Sequence, residues 1–196
     1  TFNDHGQQIT YETYYRGQLS IKITHTYNEK GQLIESVSTD KDGNISMRHV
    51  HTYTDIGQPK EKIDYKGNEG KLHRRIVYEY EDVIRELNGI KYRNQISAIE
   101  YNADGSIVHE YLNKYNEQGK NIESIHRYTD EKMQGYNTHS TSKYNAHGDC
   151  IEYTSYNPDG SIKNVHTYNH EYDSEGKRII PPREPYDPYA LKPGET

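Results

Sequence analysis

Apolar and polar residues alternate one by one along most of this chain. Ile21, Ile23, His25 and Tyr27 fall in one frame, with Lys22, Thr24 and Thr26 in the other. The frame returns at Ile45, Met47, His49, His51 and Tyr53, and again at Ile107, His109, Tyr111 and Tyr115. A period of two puts alternate side chains on opposite sides of an extended backbone, so it predicts β-strands with one buried face. Strands of about nine residues would each span roughly 30 Å.

One phrase, Tyr-Asn-x-x-Gly, punctuates the strands. It stands at residues 27–31, 101–105, 115–119, 144–148 and 156–160, with looser copies at 2–6, 53–57 and 172–176. Asn and Asp hydrogen-bond their own backbone, and Gly takes positive φ without a steric penalty, so each copy predicts a hairpin loop. Two versions alternate. One is Tyr-Asn-Glu-x-Gly-x-x-Ile-Glu, at 27–35 and 115–123 with a relative at 144–152; the other is Asn-x-Asp-Gly-Ser-Ile, at 102–107 and 157–162 with a variant at 40–45. Gly31, Gly57, Gly119, Gly148 and Gly176 set a period of 26 residues early and 28 to 29 later. A unit repeated this way buries by stacking what one unit leaves bare.

The expected fold is therefore all-β. It is a repeat array of antiparallel β-hairpins, about six periods over residues 1–180, forming an open curved sheet or a short β-solenoid. The rhythm breaks at 79–97, where Asn88-Gly89 predicts a type I′ turn in an inserted hairpin, and at 131–140. Residues 181–196 read as a Pro-rich extended tail, because proline removes a donor and favours polyproline II.

Composition sharpens this picture. Only 31% of the residues are hydrophobic, and the aromatics are 21 Tyr, one Phe and no Trp. So little apolar matter with 28% charged residues would suit a disordered chain, but tyrosine buries a ring while its hydroxyl finds a polar partner. The net charge of −6 comes from interspersed signs, with no basic stripe for nucleic acid; Lys71, His73, Arg74 and Arg75 read as a solvated strand face. No apolar run is long enough for a membrane span. Thr1 opens in mid-repeat, which suggests a processed or trimmed chain, and the single Cys150 excludes an internal disulfide.

The Tyr-x-x-x-Gly-x-Leu/Ile pattern over residues 1–180 resembles the YD (RHS-type) repeat proteins of bacteria, and is similar to the short repeats grouped with MORN-variant and antitoxin-like proteins. The second position is mostly Asn or Thr, and Tyr172-Asp173 is the one literal Tyr-Asp within the array. The large family members wind into a shell around cargo. About six periods are too few for that, so the resemblance implies an open sheet, a bacterial source and an envelope-facing or secreted setting.

Candidate chemistry is sparse. The triplets at 25–27, 51–53, 126–128 and 166–168 place His25, His51, His126 and His166 two residues before a tyrosine, and register stacking would build them into a ladder about 4.8 Å apart. Such spacing suits structure better than zinc, so no metal is assigned. The loops at 40–44 and 157–161 carry calcium-like oxygens, but His51 stands where an EF-hand needs its glutamate. Glu35, Glu61, Glu123 and Glu152 recur once per period and read as a solvated row paired with Lys and Arg on adjacent strands. No catalytic motif and no cofactor site is present in the sequence. The candidate partner face is Tyr27, Tyr53, Tyr128, Tyr168, Tyr186 and Tyr189. The expected function is a non-enzymatic cell-envelope, periplasmic or secreted scaffold that binds protein through its sheet edges or tail. A glycan-binding module using exposed tyrosines and an immunity or antitoxin-type protein are the alternatives.

Overall fold

The computed structural model describes residues 1–180. In chain order the strands are β1 (Thr10–Tyr15), β2 (Gln18–Tyr27), β3 (Leu33–Asp40), β4 (Ile45–Tyr53), β5 (Pro59–Lys66) and β6 (Lys71–Tyr80). Next come β7 (Arg85–Leu87), β8 (Ile90–Tyr92), β9 (Gln95–Asn102), β10 (Ile107–Tyr115) and β11 (Asn121–Tyr128). A 3₁₀ turn at Glu131–Tyr136 precedes β12 (Thr138–Tyr144), β13 (Cys150–Tyr156), β14 (Ile162–Thr167), β15 (Glu171–Tyr172) and β16 (Arg178–Ile179). Twelve of these form one antiparallel sheet in the order β1-β2-β3-β4-β5-β6-β9-β10-β11-β12-β13-β14. Each strand lies beside its sequence neighbour, while β7–β8 and β15–β16 form separate small hairpins. The open sheet, rather than a solenoid, is the form the repeat takes.

The two versions of the turn phrase segregate onto the two rims of this sheet. Turns of the first version, with the looser copy at 53–57, lead from even-numbered strands β2, β4, β10 and β12 to the next strand. Asn28 shows how such a turn closes: its Oδ1 accepts from the N–H groups of Lys30 and Gln32 at 3.0 and 2.9 Å, and Gly31 N donates to the Asn28 carbonyl at 2.9 Å. The Asn-x-Asp-Gly turns occupy the opposite rim, where Asp40 Oδ1 accepts from Asp42 N and Asn44 N at 2.9 Å each. The β1–β2 connection was not expected. Arg16 and Gly17 take φ of 49° and 79°, the double positive of a type I′ turn. Asn88 and Gly89 do the same between β7 and β8, with φ of 53° and 79°.

The expectation of one buried face does not hold. Strand contacts run only between neighbours within a sheet, so among the described residues no second layer covers either side. Among the described residues no hydrophobic side chain is buried; Ser36, Asp64, Ser97, Asn113 and Thr154 are the buried ones, all of them polar. The reason is lateral. In a single layer a short side chain is covered by taller neighbours on flanking strands, as Ser36 is by His25 and His49.

Candidate functional site

What replaces a core is a row of tyrosines along one rim. Tyr27, Tyr53, Tyr80, Tyr115 and Tyr144 each follow a register shift at the end of an even strand. Each hydroxyl donates to a backbone carbonyl at or just before the start of the adjacent, preceding strand. Tyr27 donates to Gln8 at 2.9 Å, Tyr53 to Leu33 at 2.7 Å and Tyr80 to Pro59 at 2.7 Å. Tyr115 donates to Gln95 at 3.1 Å and Tyr144 to Asn121 at 2.8 Å. Burial raises the phenol of Tyr53, and burial is also the main influence raising Tyr80 and Tyr115. The rim therefore binds each hairpin to the one before it.

A second row runs through the turns. Gln7 Nε2 donates to the Gly31 carbonyl at 2.7 Å, Gln32 Nε2 to Gly57 at 2.9 Å and Gln58 Nε2 to Arg93 at 2.9 Å. Sequence reasoning missed this, although Gly-Gln at 6–7, 31–32 and 57–58 carried the signal. The row explains why glycine is needed at these turns twice over. A Cβ on Gly57 would lie 3.0 Å from Gln32 Nε2, at a φ of +89°.

The sequence-derived tyrosine face does not assemble as one surface. Tyr27 and Tyr53 are half-buried, with their hydroxyls spent on the sheet itself. Tyr168 is 44% exposed near the same rim, just past the end of β14. Tyr128 ends β11 at the opposite rim and stacks on His109 at 4.7 Å. Tyr186 and Tyr189, with the whole Pro-rich tail, lie outside the described residues. The histidine ladder is likewise corrected. His25, His51 and His166 sit on even strands separated by others, whereas His126 lies on an odd strand near the far rim. Copies two strands apart are roughly 9.6 Å from each other, twice the expected spacing.

The carboxylate row is formed as expected. Arg48 pairs with Glu35, Arg75 with Glu61, Lys114 Nζ with Glu123 at 2.6 Å and Lys143 Nζ with Glu152 at 2.9 Å. These pairs are partly exposed and stabilise little individually.

The other face holds the most concentrated charge. His25, Ser36, His49, Asp64 and Arg74 stand opposite one another across β2 to β6. Asp64 is 1% exposed and is held by His49 Nδ1 at 2.5 Å, by Arg74 Nε and Nη2 at 3.0 and 2.9 Å, and by Lys62 Nζ at 3.6 Å. Burial pushes the Asp64 carboxyl upward, but the bonds from His49 and Arg74 and the Lys62 charge outweigh it and hold the group below the ordinary aspartate value. Arg74 Nη1 also reaches Glu100 at 3.3 Å. Arg74 thus engages both Asp64 and Glu100, while His25 Nδ1 at the far end of the row is buried without a hydrogen-bond partner.

Two departures from the repeat remain. The inserted hairpin projects Val83, Ile84, Leu87 and Ile90 at 53%, 48%, 64% and 70% exposure. Its base is fixed by Arg85 Nε on Glu81 at 2.9 Å, and Arg93 pairs with Asp55 at 2.7 Å beside it. At the opposite rim, the 3₁₀ interruption opens a cleft of about 350 Å³ lined by Arg127, Asn137, His139, Tyr156, Asn157 and Asp159 among others. His139 and Tyr156 stack there at 4.5 Å.

A family model described as "Uncharacterised protein" matches residues 1–87. No curated protein matches the chain. Among solved structures, a porin-like protein from Bacteroides uniformis is similar over 90% of this chain and 78% of that one, at 12% identity and a TM-score of 0.40. A TcdB2-TccC3-TEV structure is similar over 88% of this chain at 14% identity and a TM-score of 0.43. A Tc holotoxin pore from Photorhabdus luminescens is similar over 88% at 14% identity and a TM-score of 0.34. This chain spans about a tenth of the length of those two toxin chains, 10% in each. At these scores the likenesses bear on neither site nor activity.

Proposed function

We propose that the protein is a non-enzymatic scaffold of the bacterial cell envelope, periplasm or extracellular space that holds a protein partner through its inserted hairpin. The observation that carries this reading is the hairpin itself. A sheet with no buried hydrophobic side chain among the described residues places four exposed aliphatics on eight successive residues, 83–90, at a tyrosine-rim turn that breaks the repeat. Apolar side chains concentrated at a rigid tip fit the buried centre of a protein interface. The sheet supplies the mount. The envelope or secreted setting rests on the resemblance to YD-type repeats.

The test compares the chain with Leu87→Ser/Ile90→Ser, changes that touch only exposed positions. Chemical cross-linking in envelope and culture-fluid fractions of the source organism should yield one discrete adduct with the parent and none with the variant. An adduct of equal yield from both would remove the hairpin from the interface. A glycan-binding reading is favoured by the cleft at the opposite rim, where the His139–Tyr156 stack stands beside Asn137, Asn157 and Asp159. Retention of envelope polysaccharide by the parent, lost in Tyr156→Ala, would promote it over the scaffold.

A further inference from the structure

One pair of side chains is unexplained by the repeat. His109 on β10 and His126 on β11 are diagonal neighbours, since His109 pairs with Tyr128 and Tyr111 pairs with His126. Their Nε2 atoms meet in direct contact. Seven residues after the rim glycine, the place of His126 is taken by Ser38, Asp64 and Ser155 in other periods. The pairing is therefore peculiar to this hairpin and not a by-product of duplication.

Tyrosine rings pack against both imidazoles. Tyr128 stacks on His109 with centroids 4.7 Å apart and 13° between planes, and Tyr111 meets His126 edge-on at 5.9 Å. Nitrogen lone pairs aimed at one point are the donors that borderline divalent cations select. Glu100 faces His109 from β9 but is engaged by Arg74 at 3.3 Å, and Thr138 faces His126 from β12. No third His, Cys, Asp or Glu completes a cluster among the described residues.

We propose that His109 and His126 form a two-histidine site for a divalent transition-metal cation such as Ni²⁺ or Zn²⁺, with water filling the other positions. The cation would part the two Nε2 atoms and clip β10 to β11 through their side chains, with any Nε2 proton moving to Nδ1 of the same ring. Hard cations such as Mg²⁺, which prefer oxygen, are not taken.

The test titrates the full chain with Ni²⁺ and separately with Mg²⁺, followed by calorimetry and by the imidazole C–H resonances. Saturable one-to-one Ni²⁺ binding is expected, with broadening confined to His109 and His126 and no response to Mg²⁺. His109→Gln and His126→Gln should each weaken Ni²⁺ binding by more than about tenfold, the scale at which even supporting groups matter at metal sites. Binding should also weaken at about pH 5.5, where protons compete for the same lone pairs. Absence of saturable binding, broadening of other histidines instead, or full affinity in His126→Gln overturns the site. The resonance map of the parent decides the matter should a variant lose its far-UV circular dichroism.

Discussion

Phenylalanine at position 53 keeps the ring and removes the hydroxyl that donates to the Leu33 carbonyl at 2.7 Å. A bond of this kind is worth about 0.5–1.5 kcal/mol net. Tyr53 is half-buried and its acceptor lies near a turn that water reaches, so Tyr53→Phe should cost the lower part of that range, about 0.5–1 kcal/mol. In a chain of this size that lowers Tm by about 1–4 °C. The row makes the effect decisive. Tyr27, Tyr80, Tyr115 and Tyr144 make the same kind of bond, at 2.9, 2.7, 3.1 and 2.8 Å. Successive members are roughly 9.6 Å apart, far enough for their contributions to add. The five-fold Tyr→Phe variant should lose about 2.5–5 kcal/mol, a large share of the 5–15 kcal/mol typical of a domain. Urea unfolding followed by far-UV circular dichroism measures it, with Tyr168→Phe as a control that removes no hydrogen bond among the described residues. A five-fold variant with the parent's midpoint would refute the tyrosine row as the brace of this sheet.

Gly57→Ala and Gly105→Ala both force alanine to positive φ, +89° and +85°, but only the first drives a Cβ to 3.0 Å from Gln32 Nε2. Gly57→Ala should therefore lower the thermal midpoint further than Gly105→Ala, by a margin that Gln32→Ala abolishes. Arg74→Met should destabilise more than Glu100→Gln, because it removes two hydrogen bonds from the buried Asp64 carboxylate and leaves only His49 and Lys62 to hold it. The Asp64 contribution is present above the ordinary aspartate pKa and fades as pH falls through its lowered value, so acid unfolding below about pH 4 should be less steep in Asp64→Asn. His51 and His126 behave in the opposite sense. Burial lowers both, the native state favours their neutral forms, and stability should drop as pH falls below about 6.5. His51→Gln and His126→Gln should flatten that decline in a pH series of thermal melts.

Much of the architecture was legible because its determinants are local. The Asn and Gly of each turn phrase act on their own backbone, so the hairpins and their sequential order follow from spacing alone. The paired row of Glu35, Glu61, Glu123 and Glu152 was equally readable, since alternation fixes which residues share a face. The histidine ladder failed because register is not local. The triplet at 126–128 looks like that at 25–27 but sits on an odd strand, so its histidine lies near the opposite rim. The buried face failed for a different reason. Alternation reports that a strand has two unlike sides, and it says nothing about whether a second layer exists to cover one. The Asp64 network joins residues from β4, β5 and β6 that only the register brings together. The close approach of His109 to His126 required the diagonal geometry of one strand pair.

Small-angle X-ray scattering of the purified chain tests the central claim most directly. A single layer of twelve strands is eleven spacings wide, roughly 53 Å, and about 10 Å thick. The scattering of a flat particle of that thickness is the predicted result. A compact particle with a thickness of about 20 Å or more would mean that a second layer covers one face, and would contradict a sheet held together without a hydrophobic core.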